Sequence, residues 1–354
     1  MVRFGFGLLG VHPAGDLVDL VRTADELGFH SCYLPDDPSM RDSWAVVAAA
    51  ARETSSIRLG FNATHVYLRD PVLIAQALAT LDELSDGRIE AVVSFGDPSI
   101  LAAYHIEWRG RRPLARVREA FEVMRAYLDD GVVNHQGEFF RYSGIEASVR
   151  PVQAHLPLFV GALGGPRSFE LAGEVSDGVE CGSSSRENSE YVIGHVRKGA
   201  ERAGRDPGEL RMGAFFVTAV TEDGRAAKEA AWAVAASWLP SYPESMIVRH
   251  GLDPQQVAPI IAALNDGDLG EALHRTTPEI GEALTVAGTP EECAERIRVE
   301  LVDAGIDHVH FAVVDPAAVA AFTGVRPEGL PDVREQLRLI RDRIVPAFPR
   351  SDPG

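Results

Sequence analysis

The chain has 354 residues, 45% of them apolar and 24% charged, which is ordinary globular usage and carries enough apolar surface to exclude disorder. Acidic side chains outnumber basic ones 52 to 34, and the resulting charge of −18 argues against a nucleic-acid duplex or an anionic membrane as partner. No run of 18 apolar residues predicts a membrane span, no signal-peptide pattern opens the chain, and the dispersed Cys32, Cys181 and Cys293 fit a reducing cytoplasm better than a disulfide framework or zinc module.

Alternation of strand and helix patterns runs through the sequence. Residues 3–9 read as a buried strand, followed by a helix with Leu17, Leu20, Val21, Ala24 and Leu27 at spacings of three and four, Asp16 as its N-cap and Gly28 at its end. A short strand at 31–34 stops at Pro35, an Ala-rich helix covers 43–53, and 57–62 is strand. Pro71 opens a helix over 71–85, and 88–95 is strand again. After a longer loop, whose Arg109-Gly110-Arg111-Arg112 is the densest basic cluster and reads as solvated, a helix spans 113–129 and a small hairpin 132–142. Strands follow at 156–160, 179–181, 212–220 and 309–314, with helices at 167–174, 187–203, 223–236 and 331–346. Residues 284–287 form a short apolar stretch, and Thr289-Pro290-Glu291-Glu292 has the form of a capping box.

Eight strands separated by helices predict an α/β chain folded as a (β/α)8 TIM barrel; five or six would make an open doubly wound sheet, the alternative. A barrel takes about 250 residues, so roughly 100 are surplus. Most lie in 237–283, a helical insertion after the seventh βα unit, so residues 1–354 are expected to form a single barrel domain with that insertion inside it.

Active sites of such barrels form at the C-terminal ends of the strands. The run Gly161-Ala162-Leu163-Gly164-Gly165-Pro166 joins a strand to a helix and suits an anion, because glycines let backbone N–H groups approach and the helix start adds partial positive charge. It equally suits a tight turn. Asp36-Asp37 is a carboxylate pair at a strand end, able to move a proton, bind a cation or cap a helix. Asn62-Ala63-Thr64-His65 is polar where a strand should still run, which points to a bulge, and Gly96 leaves room for a flat ring. His308 and His310 share one strand face; packing or hydrogen bonding against helices is favoured over a metal site, and no metal is expected.

At these places the sequence resembles the bacterial-luciferase-like superfamily of flavin- and deazaflavin-dependent barrel enzymes, nearest to the branch that uses coenzyme F420 and includes methylenetetrahydromethanopterin reductase. The resemblance is carried by Ala24-Asp25-Glu26-Leu27-Gly28-Phe29 leading to Leu34-Pro35-Asp36, and by Arg69-Asp70-Pro71 with the run Ala75 to Arg88. It continues through Pro157 to Gly164 with Leu171 to Gly178, and through Ala287 to Cys293 with Ala304 to Val309. It implies a cofactor ring against a bulged third strand with a non-proline cis peptide at Asn62-Ala63. It further implies a cofactor phosphate held by Gly161, Ala162, Leu163, Gly164, Gly165 and Pro166 and by the residues after the sixth strand. Cofactor-binding residues are therefore expected to be Asp36, Asn62, Ala63, Thr64, Gly96, the 161–166 turn, Cys181, Gly182, Ser183, Ser184 and Arg186.

Alcohol-oxidising members carry His directly after the conserved Asp, where this chain has Asp37. The expectation is therefore an F420-dependent oxidoreductase working as a reductase on an activated C=C or C=N bond of a small molecule, with Asp36, Asp37 and His65 as catalytic candidates. An FMN-dependent monooxygenase using reduced flavin and oxygen is the alternative, followed by a non-catalytic flavin-binding protein and a metal-dependent hydrolase. A homodimer and a separate reductase supplying reduced cofactor complete the expectation.

Overall fold

Short strands that are apolar on both faces need cover on both faces and leave no edge that water can satisfy. The computed structural model, which describes residues 2–348, resolves this by closure. Its strands are β1 (Arg3–Gly7), β2 (Ser31–Leu34), β3 (Arg58–His65), β4 (Ile89–Ser94), β5 (Val132–Gln136), β6 (Arg141–Glu146), β7 (Leu158–Ala162), β8 (Gly178–Gly182), β9 (Arg211–Thr218) and β10 (His308–Val313). Eight form a closed barrel in the order β1-β2-β3-β4-β7-β8-β9-β10, with the two-stranded β5-β6 sheet apart from it. The barrel pairings are parallel and the β5-β6 pair antiparallel, and β1 meets β10 with Phe4 opposite Val309 to close the ring. The fold is the expected (β/α)8 barrel.

Local signals decide most boundaries. Pro71–Ser85 is helical as predicted, with the Asp70 carboxylate accepting from the Val72 N–H at 2.9 Å. The capping box at Thr289 and Glu292 is formed in both directions. Differences have physical causes. The first helix, Ala14–Glu26, starts before Asp16; Pro13 precedes it, and Asp16 falls in the first turn, where its charge suits the helix dipole. Helices Pro98–Ala103 and Pro316–Thr323 escaped the periodicity because the first is six residues long and the second is apolar nearly all round. The apolar stretch near 285 bridges the upper end of β9, Thr285 beside Val217 and Gly288 beside Val220. Within 237–283 lie helices Glu244–Arg249, Pro254–Asn265 and Leu269–Arg275, followed by Pro278–Leu284. Their apolar faces join the Ala-rich helix Arg225–Trp238 in a second core.

Inside the barrel, polar side chains take positions that a purely apolar filling would occupy. Glu90 is buried between Arg58 at 2.8 Å and Arg211 at 3.0 Å, and it accepts from the Tyr33 hydroxyl. Burial opposes its charge, but Arg211 and Arg58 outweigh burial and hold the carboxyl well below the usual range. Glu180 faces His308 at 3.5 Å and His310 at 3.3 Å, so the two histidines point at this carboxylate and not, as the sequence suggested, at helices. Room for them comes from glycine. A Cβ on Gly5 would lie 2.2 Å from Ser31 Oγ, and one on Gly213 would lie 2.1 Å from Glu180 Oε2. Replacing Arg211 with Met would leave the buried Glu90 with Arg58 as its one cationic partner among the described residues and should cost about 3 kcal/mol.

Two buried histidines, His250 and His308, and the half-buried His30 tie stability to pH. Burial pushes His308 down to about 3, and His30 and His250 down to about 4, so all three are neutral in the fold at neutral pH. The unfolded chain protonates them below about 6.5, so it binds more protons than the fold between there and pH 3–4. Their contribution to stability should be level above pH 6.5 and decline below it, by roughly 1 kcal/mol or more per histidine at pH 5. Urea midpoints between pH 8 and 4 test this, and His30→Phe should remove part of the slope.

Candidate active site

The C-terminal rim of the barrel is shaped first by β3. Its pairing with β4 shifts register between Phe61 and Thr64, leaving Asn62 and Ala63 in a bulge, and the Asn62-Ala63 peptide is cis, as the resemblance implied. Asp36, just past β2, ties this bulge down. Its Oδ2 accepts from Thr64 Oγ1 at 2.8 Å and from the Trp44 indole N–H at 2.9 Å, and Arg69 lies at 4.0 Å. Ser43 Oγ donates to Oδ1 at 3.4 Å. Trp44 stacks on Phe61 at 4.0 Å with its ring 24° from parallel, and the Arg69 guanidinium covers its other side at 4.5 Å. Asp36 is thereby a joint between two strand tips. Asp37 behaves differently: its Oδ1 accepts from Ser39 N–H at 2.8 Å and Oγ–H at 2.7 Å, its Oδ2 has no partner among the described residues, and the side chain is half-buried.

Small residues keep the mouth of the barrel wide on this side. A Cβ on Gly161 would lie 3.0 Å from Val92 Cγ1, 3.4 Å from Ala63 Cβ and 3.5 Å from Ser94 Cβ, so the tips of β3, β4 and β7 converge here, with the small Ala63 and Ser94 beside Val92. Gly96, at φ +123°, lets the chain turn over His65, whose Nδ1 would be 3.3 Å from any Cβ there. His65 is buried and this nitrogen has no hydrogen-bond partner among the described residues. Burial depresses its pKa, against the pull of Asp36, Asp97 and Asp37.

The glycine-rich turn lies beside this opening. Gly165 starts the ten-residue helix Pro166–Val175 without a side-chain cap. Leu163 reaches over Gly182 together with Met246, and Pro243 presses on Gly164, where a Cβ would be 2.2 Å from Pro243 Cγ. Arg249 completes the turn from the insertion. Its Nη2 donates to the Gly164 carbonyl at 3.2 Å, its Nε to Asn188 Oδ1 at 2.8 Å, and its guanidinium stacks on Tyr191 at 4.1 Å. It is 8% exposed and no carboxylate among the described residues pairs with it. Burial lowers its pKa accordingly. A desolvated cation beside the starts of two helices, Pro166–Val175 and Arg186–Arg202, is an environment that favours an anion.

The residues after β8 are only partly available to such an anion. Ser183 bonds within its own turn, to Ser185 O and Ser189 Oγ. Ser184 is held by the insertion, its N–H donating to His250 Nε2 at 3.4 Å and its hydroxyl to Ala283 O at 2.8 Å. Arg186 turns outward to Val299 O and Glu190, with its N–H on Glu300. Cys181 is fully buried, its thiol on Gly213 O at 3.4 Å and raised in pKa by that burial. The structure thus groups Asp36, Asn62, Ala63, Thr64, His65 and Gly96 at one wall and Gly161 to Pro166 with Gly182 at the next. Sequence reasoning missed Trp44, Arg69, Arg249 and His250. Only a cation within an acidic insertion could have hinted at Arg249, and His274-Arg275 carries the same hint.

Comparison with known proteins agrees with the barrel fold. The chain is 30% identical over 309 residues, 87% of its length and 93% of the relative's, to a 5,10-methylenetetrahydromethanopterin reductase of Methanolobus tindarius. It superposes with a TM-score of 0.88 and 26% identity on the coenzyme F420 dependent tetrahydromethanopterin reductase of Methanopyrus kandleri, covering 98% of this chain and 99% of that one. It shares the fold, at a TM-score of 0.69 and 16% identity over 98% of each chain, with the FMN-bound oxygenating constituent of 3,6-diketocamphane monooxygenase from Pseudomonas putida. The family model described as luciferase-like monooxygenase matches residues 3–308, and the chain belongs to that family.

Proposed function

We propose that the chain is a coenzyme F420-dependent oxidoreductase acting as a reductase, delivering hydride to an activated C=C or C=N bond of a small molecule. The observation that carries this reading is the pairing of a small-residue mouth, walled by the Asn62-Ala63 bulge and Gly161, with a carboxylate-free buried arginine at the adjoining glycine turn. A flat ring fits the first and the phosphate of its side chain fits the second. The residues therefore suit the cofactor: Ala63, Ser94, Gly96 and Gly161 would border the ring, and Gly164, Gly165 and Arg249 the phosphate. The two reductase relatives match at 26–30% identity across nearly the whole chain, whereas the FMN-binding neighbour, at 16%, supports the fold alone. FMN is therefore the second choice.

Reduced F420 supplies the hydride. The chain's own residues must position the acceptor and manage one proton. Asp36 is occupied by Trp44, Thr64 and Ser43 and serves to position the bulge. Asp37 is oriented by Ser39 through Oδ1, which leaves Oδ2 to hold and release the proton at the mouth. His65 lies behind the bulge, neutral and buried, and bounds the space.

Fluorescence titration decides the cofactor: F420 should bind at micromolar concentration or tighter and FMN more weakly, whereas FMN retained through purification with no F420 binding would reverse the assignment. Arg249→Met should weaken F420 binding roughly tenfold or more, the worth of one charge-assisted contact. Asp37→Asn should leave binding intact and lower turnover by roughly 10²-fold. If His65→Gln produces that loss and Asp37→Asn does not, the proton role moves to His65.

A further inference from the structure

A second group of cationic side chains lies between the helices Pro98–Ala103 and Pro113–Arg125 and on the first turn of the latter. An open cavity of about 470 Å3 is lined by Tyr67, Arg111, Arg112 and Arg116, with Glu107 and Glu138 also at its walls. Three observations there are unexplained by packing. Arg116 is clamped among aromatic rings, 4.6 Å from the centres of both Tyr67 and Phe140. Its Nε donates to the Val66 carbonyl at 3.3 Å, yet no carboxylate of the described residues pairs with it. The Tyr67 hydroxyl is buried and has no hydrogen-bond partner among the described residues. The 13-residue helix Pro113–Arg125 starts at the cavity with no side-chain cap, and its N-cap residue Arg112 takes a left-handed conformation, φ +52°, that a non-glycine residue seldom adopts.

We propose that this cavity is a carboxylate-binding site. A fixed guanidinium, an unpaired phenol donor and an uncapped helix start together supply donors and positive potential, of which the Val66 carbonyl takes up only Arg116 Nε. The chain's own carboxylates show which chemistry the remaining arginines accept: Glu107 lies 3.3 Å from Arg111, and Glu138 pairs with Arg112. Both pairs are exposed, and exposed pairs contribute little to stability, so an incoming carboxylate can take over their arginines at little cost. In a chain of net charge −18, a local cluster of three arginines counters the field that would otherwise repel an acidic ligand. The flat, bidentate geometry of guanidinium matches carboxylate groups in series, as in a γ-linked glutamyl chain. Two sources could present them: the glutamyl tail of the cofactor, which rests on the function proposed above, or an acidic group of the substrate, which does not.

Calorimetric titration of the full chain with tri-γ-glutamate at low salt tests the site. Binding should be measurable, and it should weaken at least tenfold in Arg116→Gln and several-fold in Tyr67→Phe, a variant that keeps the ring packed on Arg116. Glu138→Gln should tighten it. Absence of binding, indifference to both Arg116→Gln and Tyr67→Phe, or equal affinity for inorganic phosphate at the same residues would overturn the proposal. F420 preparations with one and with several glutamyl residues then separate the sources. An affinity that rises with their number, and loses that rise in Arg116→Gln, assigns the site to the cofactor tail. Tri-γ-glutamate binding without such a rise assigns it to the substrate. If F420 does not bind at all while tri-γ-glutamate does, the cofactor assignment falls and the carboxylate site stands.

Discussion

The rim depends on a single carboxylate. Asp36 sits where β2 ends, and the groups that reach it come from the following helix, through Ser43 and Trp44, and from the bulge in β3, through Thr64. A bulge releases backbone pairing and bends its strand, so its shape must be fixed by something other than the ladder. Here the Thr64 hydroxyl and the Trp44 indole share one oxygen, and Trp44 in turn lies flat on Phe61 at the bulge's start. The position of Ala63 against Gly161, and therefore the width of the mouth, follows from that arrangement. Arg69 adds a cation over the indole and near the same carboxylate, so charge on Asp36 is compensated where it is half-buried.

The two ends of the barrel interior solve opposite problems. At the rim, small side chains leave space. Deeper in, the charged Glu90, Arg211 and Glu180 and the polar Tyr33 and two histidines fill it, at a desolvation cost that mutual pairing offsets. Arg211 also lies flat on Phe159 at 3.3 Å, which couples the ionic cluster to the apolar filling of β7. Polar groups held this way have few alternative arrangements, and a rigid base beneath an open mouth holds the rim residues in place.

Much of the fold was legible because its signals are local. Periodic helices such as 71–85, the capping box at Thr289 and the count of strands require no knowledge of tertiary neighbours. Asn62 to His65 announced a bulge by being polar where a strand should continue, and Gly161 to Pro166 announced a turn by composition. What the sequence hid were partnerships across long separations. Nothing in Asp36 tells that Trp44 and Thr64 will consume it, nor in Ser184 that His250 and Ala283 will. His308-Val309-His310 read as a pair facing helices because the β alternation gives a shared face but does not say which face is inward. Arg186 looked suited to an anion by its place at a helix start, yet Glu300 and Val299 lie nearer to it than the mouth does.

The grip of the insertion on the glycine turn bears on how such a protein can be recombined. Pro243 occupies the space a side chain on Gly164 would need, Arg249 spans from Gly164 to Asn188, and His250 accepts the Ser184 amide. The insertion and the strand-end loops are therefore one folding and recognition unit divided among distant parts of the sequence. A graft that moved residues 237–283 onto another barrel would arrive without its seat, and a barrel that lost them would expose the Gly164 carbonyl and the Ser184 amide together. The arrangement of the insertion is consequently inherited only with the loops after β7 and β8.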